Sequence, residues 1–160
     1  MSQHSIHPLF EFEESQTAVI NPPMRRRVDN FPELAVACWF GDVQRKRFAG
    51  QDPIYRIPFE HGDHEVHVVE HLGKRIAVFN PGVGAPAAAT SLEDVIGLGA
   101  TKIIGCGGAG IVKQGFDVGH IIVPTGAVRD EGTSHHYQPV EVAVVPHPLA
   151  VEAIDAELMG

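Results

Sequence analysis

Two short glycine-rich loops could bring backbone amides close to a ligand. They span residues 80–86 and 105–110, and each follows an apolar segment. Because glycine has no side chain, its backbone can approach a ligand closely. The first loop also precedes a predicted helix, and a helix N-terminus favours an anion. Both loops are therefore candidates for an anion site, and the alternative for each is a plain tight turn.

The second loop also matches the pattern Gly-x-Gly-x-x-Gly, which is found in dinucleotide-binding proteins. That fingerprint has to open a helix. Here Gly115 follows before a helix can develop, so the sequence disfavours a dinucleotide site. The sequence Gly-Lys-Ser/Thr does not follow either, which disfavours the phosphate-binding loop of P-loop nucleoside triphosphatases.

Two charged segments are further candidates. Residues 127–137 place many titratable groups after an apolar segment, which is typical of an active-site loop. The alternative is a solvated loop or a subunit contact in which Arg129 pairs with a carboxylate. The run of three arginines at 25–27 could hold phosphate through bidentate hydrogen bonds, although such runs are more often solvated surface.

Ten histidines raise the question of a metal site. His64 and His67 would face opposite sides of a strand, so they cannot hold one ion together without a bend. No cysteine pair and no His-Glu-x-x-His helix supports zinc, and we therefore predict no metal. Cys106 could act as a nucleophile, but nothing in the sequence supplies its base, and a buried cysteine is more often a packing residue.

Length and composition limit the class of protein. The chain has 160 residues, enough for one domain, and its 12 basic and 20 acidic residues give a net charge of -8. This acidity argues against a general nucleic-acid binder. Two cysteines cannot form a disulfide framework, and no secretory signal or long apolar run is visible. We expect a soluble cytoplasmic protein without a membrane or nucleic-acid partner.

The elements that must position these loops follow from the hydrophobic pattern. Residues 34–40 are continuously apolar between Pro32 and Gly41, which predicts a strand buried on both faces of a parallel or mixed sheet. The order of strands and helices predicts an α/β fold. The other predicted strands are 17–21, 54–58, 65–70, 75–79, 102–105 and 119–129, and the predicted helices are 42–49, 85–98 and 148–159.

Taken in order, these segments resemble the nucleoside phosphorylase family, on its uridine/purine nucleoside phosphorylase branch. Its pattern of Gly-x-Gly-x-Pro, helix, strand and glycine-rich segment is similar to GVGAPAAATSLEDVIGLGATKIIGCGGAG. The stretch that follows, FDVGHIIVPTGAVRDEGTSHHYQP, is closest to the uridine phosphorylase pattern. AVINPPMRRR occupies the place of the family's first strand and phosphate-binding loop. The resemblance is strongest from Gly82 to Pro139.

The resemblance implies a three-layer fold with a central mixed, twisted β-sheet flanked by helices. It also implies a reaction in which phosphate cleaves the N-glycosidic bond of a nucleoside, with uridine the favoured substrate. Phosphate would be a co-substrate, and neither a metal nor an organic cofactor would be needed. We expect a homo-oligomer built from dimers. The alternatives are a catalytically incomplete binding or assembly domain and a nucleosidase that uses water.

The resemblance also assigns residues to phosphate and ribose, although it assigns none to catalysis. They are Arg26, Gly82, Gly84, Gly107, Gly108 and His7. Arg26 would bind phosphate after the first strand. An N-terminal arm, residues 1–16, would contribute His7, or His4 in its place, to the ribose site of a neighbouring subunit. Arg45 or Arg47 would be an arginine offered across the dimer.

The chain departs from the family pattern at several positions. Gly105 stands where uridine phosphorylases carry a phosphate-binding arginine, Gly108 stands where they carry threonine, and residues 21–23 replace Gly-Asp-Pro. The base-recognition loop and the Glu-Met-Glu motif that binds ribose hydroxyls do not occur in these 160 residues. We therefore predict a single domain, residues 1–160, that lacks the C-terminal part of the fold, and no phosphorolysis from these residues alone.

Overall fold

The apolar segments of the sequence form the strands of one sheet. The computed structural model describes residues 10, 12–15, 17 and 28–160. The elements are β1 (Leu34–Cys38), α1 (Gly41–Arg47), β2 (Tyr55–Ile57), β3 (His64–His71), β4 (Lys74–Phe79), α2 (Ala85–Leu98), β5 (Lys102–Cys106), a 3-10 turn (Ser134–His136) and α3 (Pro148–Met159). In the described part of the chain, no helix has both the length and the apolar character needed to cross a bilayer.

The sheet is mixed, with the strand order β2-β3-β4-β1-β5. β1 lies between β4 and β5 and is parallel to both, whereas β2, β3 and β4 form an antiparallel meander. The prediction of a mixed sheet flanked by helices is confirmed, and the predicted strand at 34–40 is its β1. Because β1, β4 and β5 run in the same direction, their carboxyl ends meet at one edge of the sheet, and the amino end of antiparallel β3 lies beside the end of β4.

The turn between β3 and β4 fixes the register of the meander. His71 pairs with Lys74, which leaves Leu72 and Gly73 as a two-residue turn. Both turn residues have positive φ, 49° and 71°, as tight hairpin turns of this class require. In this register Val66 of β3 pairs with Phe79, the last residue of β4, close to the glycine loop that follows β4.

The core lies on one face of the sheet, where alternate strand residues pack against α2. Its buried members are Ala35, Ala37, Ile57, Val66, Ala77, Phe79, Val95 and Ala100. Val95 is the contribution of α2, and it is fully buried. Burial of the alternate residues of β1 and β4 on this face fixes which way their last residues point at the carboxyl edge.

The structure contradicts one predicted strand, and another predicted strand lies almost wholly outside the described residues. The predicted strand 119–129 is wrong, because only Ala127 pairs with another residue, in an isolated bridge to Val144. Pro124 has no N–H to give to a ladder, and Gly119 has a φ of 102°, which interrupts an extended segment. The predicted strand 17–21 lies outside the described residues except for Thr17.

The described residues fall into two compact units. The first lies within Ser15–Ala109 and contains the whole sheet. The second is formed by Gly110–Gly160 with the described residues before Ser15, and it contains the 3-10 turn and α3. The single domain expected from the sequence stays a prediction.

The burial of Val95 predicts a matched pair of stability effects. Val95→Ala should lower the free energy of unfolding by about 2 kcal/mol, because it removes buried methyl groups and leaves a cavity. Val43→Ala makes the same change on α1, where the side chain is 61% exposed, and should change stability by less than about 0.5 kcal/mol. Denaturant unfolding of both variants measures the difference. Equal effects would contradict the assignment of α2 to the core.

Candidate functional site

The two glycine loops lie at the same edge of the sheet and are joined by one side chain. The first follows β4, and the second begins with the last two residues of β5, Gly105 and Cys106. The carboxyl ends of β4 and β5 flank that of β1. Trp39, the residue after β1, donates its indole N–H to Gly82 O at 2.6 Å. The same side chain lies against Gly105 and Gly107 of the other loop. Ligands of open α/β sheets bind at this kind of edge.

The first glycine loop is held by four hydrogen bonds. Besides the Trp39 contact, Gly82 N–H is donated to Asn80 Oδ1 at 2.9 Å, and His64 Nδ1–H to Asn80 O at 3.0 Å. The fully buried Ser91 of α2 donates its hydroxyl to Pro81 O at 3.1 Å. Both backbone polar groups of Gly82 are therefore occupied, and Gly82 serves the site as framework.

Gly82 also cannot be replaced without displacing its neighbours. Its φ is +82°, and an added Cβ would stand 3.0 Å from Ala87 Cβ and 3.1 Å from the His64 ring. The glycine expected from the sequence is thus explained by close packing between the loop, β3 and α2.

The amides that remain exposed in this loop lie near Gly84. This residue is exposed, has a φ of +94° and immediately precedes α2. No side chain caps the helix, and Pro86 stands in its first turn. A 14-residue helix with an uncapped N-terminus offers N–H groups and a partial positive charge to an anion.

The second glycine loop presents its backbone to solvent. Gly107 and Gly108 both follow β5 directly and are exposed. A Cβ on Gly107 would lie 3.1 Å from Trp39 Cβ, whereas one on Gly108 would lie 3.9 Å from the nearest atom of Phe40, an ordinary contact. A side chain at 107 would therefore need Trp39 to shift by a few tenths of an ångström, while Gly108 leaves an open approach to the backbone.

A cleft of about 940 Å³ adjoins the first loop. It reaches from α1 across the start of β3 to the start of α2, and its lining includes Gly41, Arg45, His64, Asn80, Gly82 and Val83. The Arg45 guanidinium pairs with Asp42, and Nη1 lies 3.2 Å from the point that a Cβ on Gly41 would occupy. The cleft therefore brings a cation next to the glycine loop.

Arg45 is a residue of the cleft that the sequence analysis did not assign to this site. The expectation that Arg45 or Arg47 is offered across a dimer stays a prediction, and within its own chain Arg45 lines the cleft. Arg47 does not line the cleft, and its guanidinium lies over the Phe48 ring at 5.5 Å. A signal was present, since Gly41-Asp42-Val43 follows an apolar strand and is closer to Gly-Asp-Pro than residues 21–23 are.

The clustered histidines have other partners. His67 is buried, stacks on Phe48 with ring centroids 4.3 Å apart, and donates Nε2–H to Glu65. This hydrogen bond, together with the nearby Arg56, lowers the pKa of Glu65. Among the described residues, no group of three histidine, cysteine or acidic side chains is arranged to hold a metal ion.

Cys106 is poorly suited to be a nucleophile. It pairs in register with Cys38 on the neighbouring strand. Burial raises the pKa of Cys106 to about 11, and the adjacent Cys38 thiol contributes to the rise. At neutral pH only about one molecule in ten thousand would carry the reactive thiolate. The packing role is therefore the better interpretation.

The polar loop 127–137 belongs to the second compact unit and is organised by Arg129. This guanidinium donates to Ser134, to His135 Nδ1 and to the backbone oxygens of Ser134, Gln138, Pro139 and Val142. Glu131 accepts the N–H groups of Thr133 and Ser134, and the hydrogen bonds from Ser134 and Thr133 lower its pKa. Arg129 thus holds its own loop together, which favours the structural interpretation over a catalytic one.

Two residues of the predicted site lie outside the described part of the chain. They are Arg26 and His7, and with them His4 and the other arginines at 25–27. Their assignment to phosphate and ribose stays a prediction.

Comparison with known proteins identifies the class to which this fold and edge belong. The family model of the Phosphorylase superfamily matches residues 34–159, which begin at the first residue of β1. The chain belongs to the Phosphorylase superfamily.

Individual relatives within it are nucleoside phosphorylases. The chain is 32% identical over 133 residues to a uridine phosphorylase of Thermococcus kodakarensis, a match that covers 76% of this chain and 48% of the relative. It is 35% identical over 74 residues to a guanosine phosphorylase of Halorubrum lacusprofundi, which covers 46% of this chain and 31% of that protein. The chain thus spans about half the length of these relatives, or less.

A solved structure has the same fold. A uridine phosphorylase from Vibrio fischeri superposes with a TM-score of 0.72 over 84% of this chain and 55% of its own, at 24% identity. This likeness supports the mixed α/β fold.

The raised pKa of Cys106 predicts slow alkylation. In a Cys38→Ser variant, which leaves one thiol and keeps the burial, iodoacetamide should react far more slowly than with free cysteine at pH 7. The rate should keep rising above pH 9, because the thiolate forms only near the raised pKa. Mass spectrometry of the alkylated protein gives the rates. A half-maximal rate near pH 8 would contradict the predicted pKa and reopen the nucleophile hypothesis.

Proposed function

We propose that this protein is a nucleoside phosphorylase, with uridine as the favoured nucleoside. The observation that carries the proposal is that both glycine loops lie at one edge of a mixed sheet, where a cleft lined by Arg45 adjoins the first loop. Membership of the Phosphorylase superfamily and the similarity to proteins named uridine phosphorylase support it.

Phosphate would lie between the two loops. The uncapped start of α2 near Gly84 and the backbone at Gly107 and Gly108 would donate hydrogen bonds to its oxygens. Arg45 would supply positive charge from the cleft side, since its side chain is 74% exposed and its carboxylate partner Asp42 holds it over Gly41. Charge-assisted hydrogen bonds from guanidinium to phosphate are among the stronger ones in proteins.

The reaction would be a substitution at the anomeric carbon of the sugar. A phosphate oxygen forms the new bond to that carbon, and the bond to the base nitrogen breaks. The base leaves with the bonding electron pair and takes up the proton that monohydrogen phosphate gives up. Positive charge develops on the sugar in the transition state, and a phosphate dianion held beneath the ring stabilises it. The reaction balances with phosphate alone, so the proposal includes no metal or organic cofactor.

The proposal extends to partners and assembly. The small-molecule partners would be a nucleoside and phosphate. The protein would form dimer-based oligomers in which an N-terminal arm lends His7 to the ribose of the neighbouring subunit. Analytical ultracentrifugation of the chain tests the assembly separately from the chemistry.

Arg45 and its neighbour Lys46 offer a matched test of the phosphate site. Both are exposed cations of α1, but only Arg45 lines the cleft. Arg45→Ala should weaken phosphate binding about tenfold or more, because a charge-assisted contact is lost, whereas Lys46→Ala should leave the affinity within about twofold. Isothermal titration with inorganic phosphate measures both.

The same titration tests the earlier assignment of Arg26. If Arg26→Ala weakens phosphate binding and Arg45→Ala does not, the arginine of the site is the one predicted from the sequence. If neither change affects binding, the proposed phosphate site is wrong.

Base release tests the reaction class. Uridine, inosine and methylthioadenosine should be incubated with the 160-residue chain and with any longer form of the protein, with and without phosphate. We expect uracil and ribose 1-phosphate from uridine only when phosphate is present, and no release by the 160 residues alone. Release without phosphate would identify a nucleosidase. Phosphate binding without release in any form would identify a binding or assembly domain.

A further inference from the structure

Trp39 contacts both glycine loops, although residues 87–104 separate the loops in the sequence. Its indole N–H reaches Gly82 O, and its ring carbon Cζ3 lies 3.3 Å from the point that a Cβ on Gly105 would occupy. Its backbone N–H is donated to Cys106 O at 2.9 Å, so the residue is also anchored to the end of β5. One side chain therefore spans the gap between the two loops.

Core packing does not account for this position. Trp39 is 38% exposed and is not a member of the buried core cluster. A tryptophan at the end of a strand could satisfy its N–H with water, but here the N–H binds a backbone oxygen 43 positions away. The side chain is thus fixed at one end by a hydrogen bond and along its ring by the glycine backbone.

We propose that Trp39 is a positioning residue of the candidate site, one that sets the separation of the two glycine loops. Its N–H fixes the loop at residues 80–84, and its ring supports the loop at residues 105–109. Glycine at 105 lets the indole lie close to the backbone, because a Cβ there would stand 3.3 Å from Cζ3 and the ring would have to shift. This inference rests on the proposed function, since the separation matters for a ligand that both loops bind.

Two changes at position 39 separate the two roles of the side chain. Trp39 is the only tryptophan of the chain, so biosynthetic replacement of tryptophan by 3-benzothienylalanine alters this residue alone. The analogue keeps the two-ring shape and puts sulfur in place of the N–H. Trp39→Leu removes both the N–H and the ring. Ser91→Ala is the matched control, because it deletes another hydrogen bond to the first loop and touches nothing in the second.

Backbone order parameters from 15N relaxation test the positioning without any ligand. The analogue and Ser91→Ala should lower the order parameters of residues 80–84 from about 0.85 towards 0.6 and leave residues 105–109 unchanged. Trp39→Leu should lower both sets. If residues 105–109 stay rigid in Trp39→Leu, or if residues 80–84 stay rigid in the analogue, the inference is overturned. Should Trp39→Leu fail to fold, the analogue still decides, because it preserves the ring volume.

Titration with inorganic phosphate tests the consequence for the site. The analogue should bind phosphate three- to tenfold more weakly than the native chain, roughly the effect of one hydrogen bond. Equal affinity in the two proteins would overturn the link between Trp39 and the site. If the native chain binds no phosphate, the proposed function fails, and the order parameters alone decide the positioning role.

Discussion

The candidate site depends on the pairing of β1 between two parallel neighbours. Parallel pairing of β1 with β4 and with β5 is what carries two loops, distant in sequence, to one edge of the sheet. A strand reversed at either position would send its glycine loop to the opposite edge. The register adds a finer constraint, since it aligns Cys38 with Cys106 and so places Trp39 level with the start of the second loop.

Some backbone groups of the two loops form hydrogen bonds that hold the loops in place, and others stay exposed to a ligand. Gly82 uses its N–H and its carbonyl oxygen to fix its own loop, and Ser91 fixes the carbonyl before it. The backbone near Gly84 and at Gly107 and Gly108 stays exposed. A preorganised loop presents amides without reorganising when a ligand arrives, which is the property that stabilises developing charge in an active site.

One departure from the family pattern now has a physical reason. The resemblance implies an arginine where this chain has Gly105. A side chain there would begin 3.3 Å from the Trp39 ring, a closer approach than such contacts ordinarily allow. The Trp39 indole therefore fits where it does because residue 105 is glycine. Among the described residues, Arg45 of α1 lines the cleft and brings positive charge to this edge of the sheet.

The local pattern of the sequence determined the elements. The strand within the apolar run at 34–40 and the helix at 85–98 were predicted closely, because apolar character and helix propensity are encoded in adjacent residues. The predicted burial on both faces of the strand was too strong, because alternate residues of β1 are only partly buried. The glycine loops were predicted as well. The prediction of a strand at 119–129 was wrong. A strand needs a neighbouring strand to pair with, and the fold, not the local sequence, decides whether one is there.

Only the tertiary structure decided how the site is assembled. Arg45 lines the cleft while Arg47 does not, and Trp39 joins Gly82 to Gly107, because of contacts between elements that are distant in sequence. Arg129 binds its own loop through contacts that the sequence pattern did not indicate. Sequence spacing indicates which groups could do chemistry. Which of them meet is set by strand order and register, because those fix distances between residues that the chain itself leaves far apart.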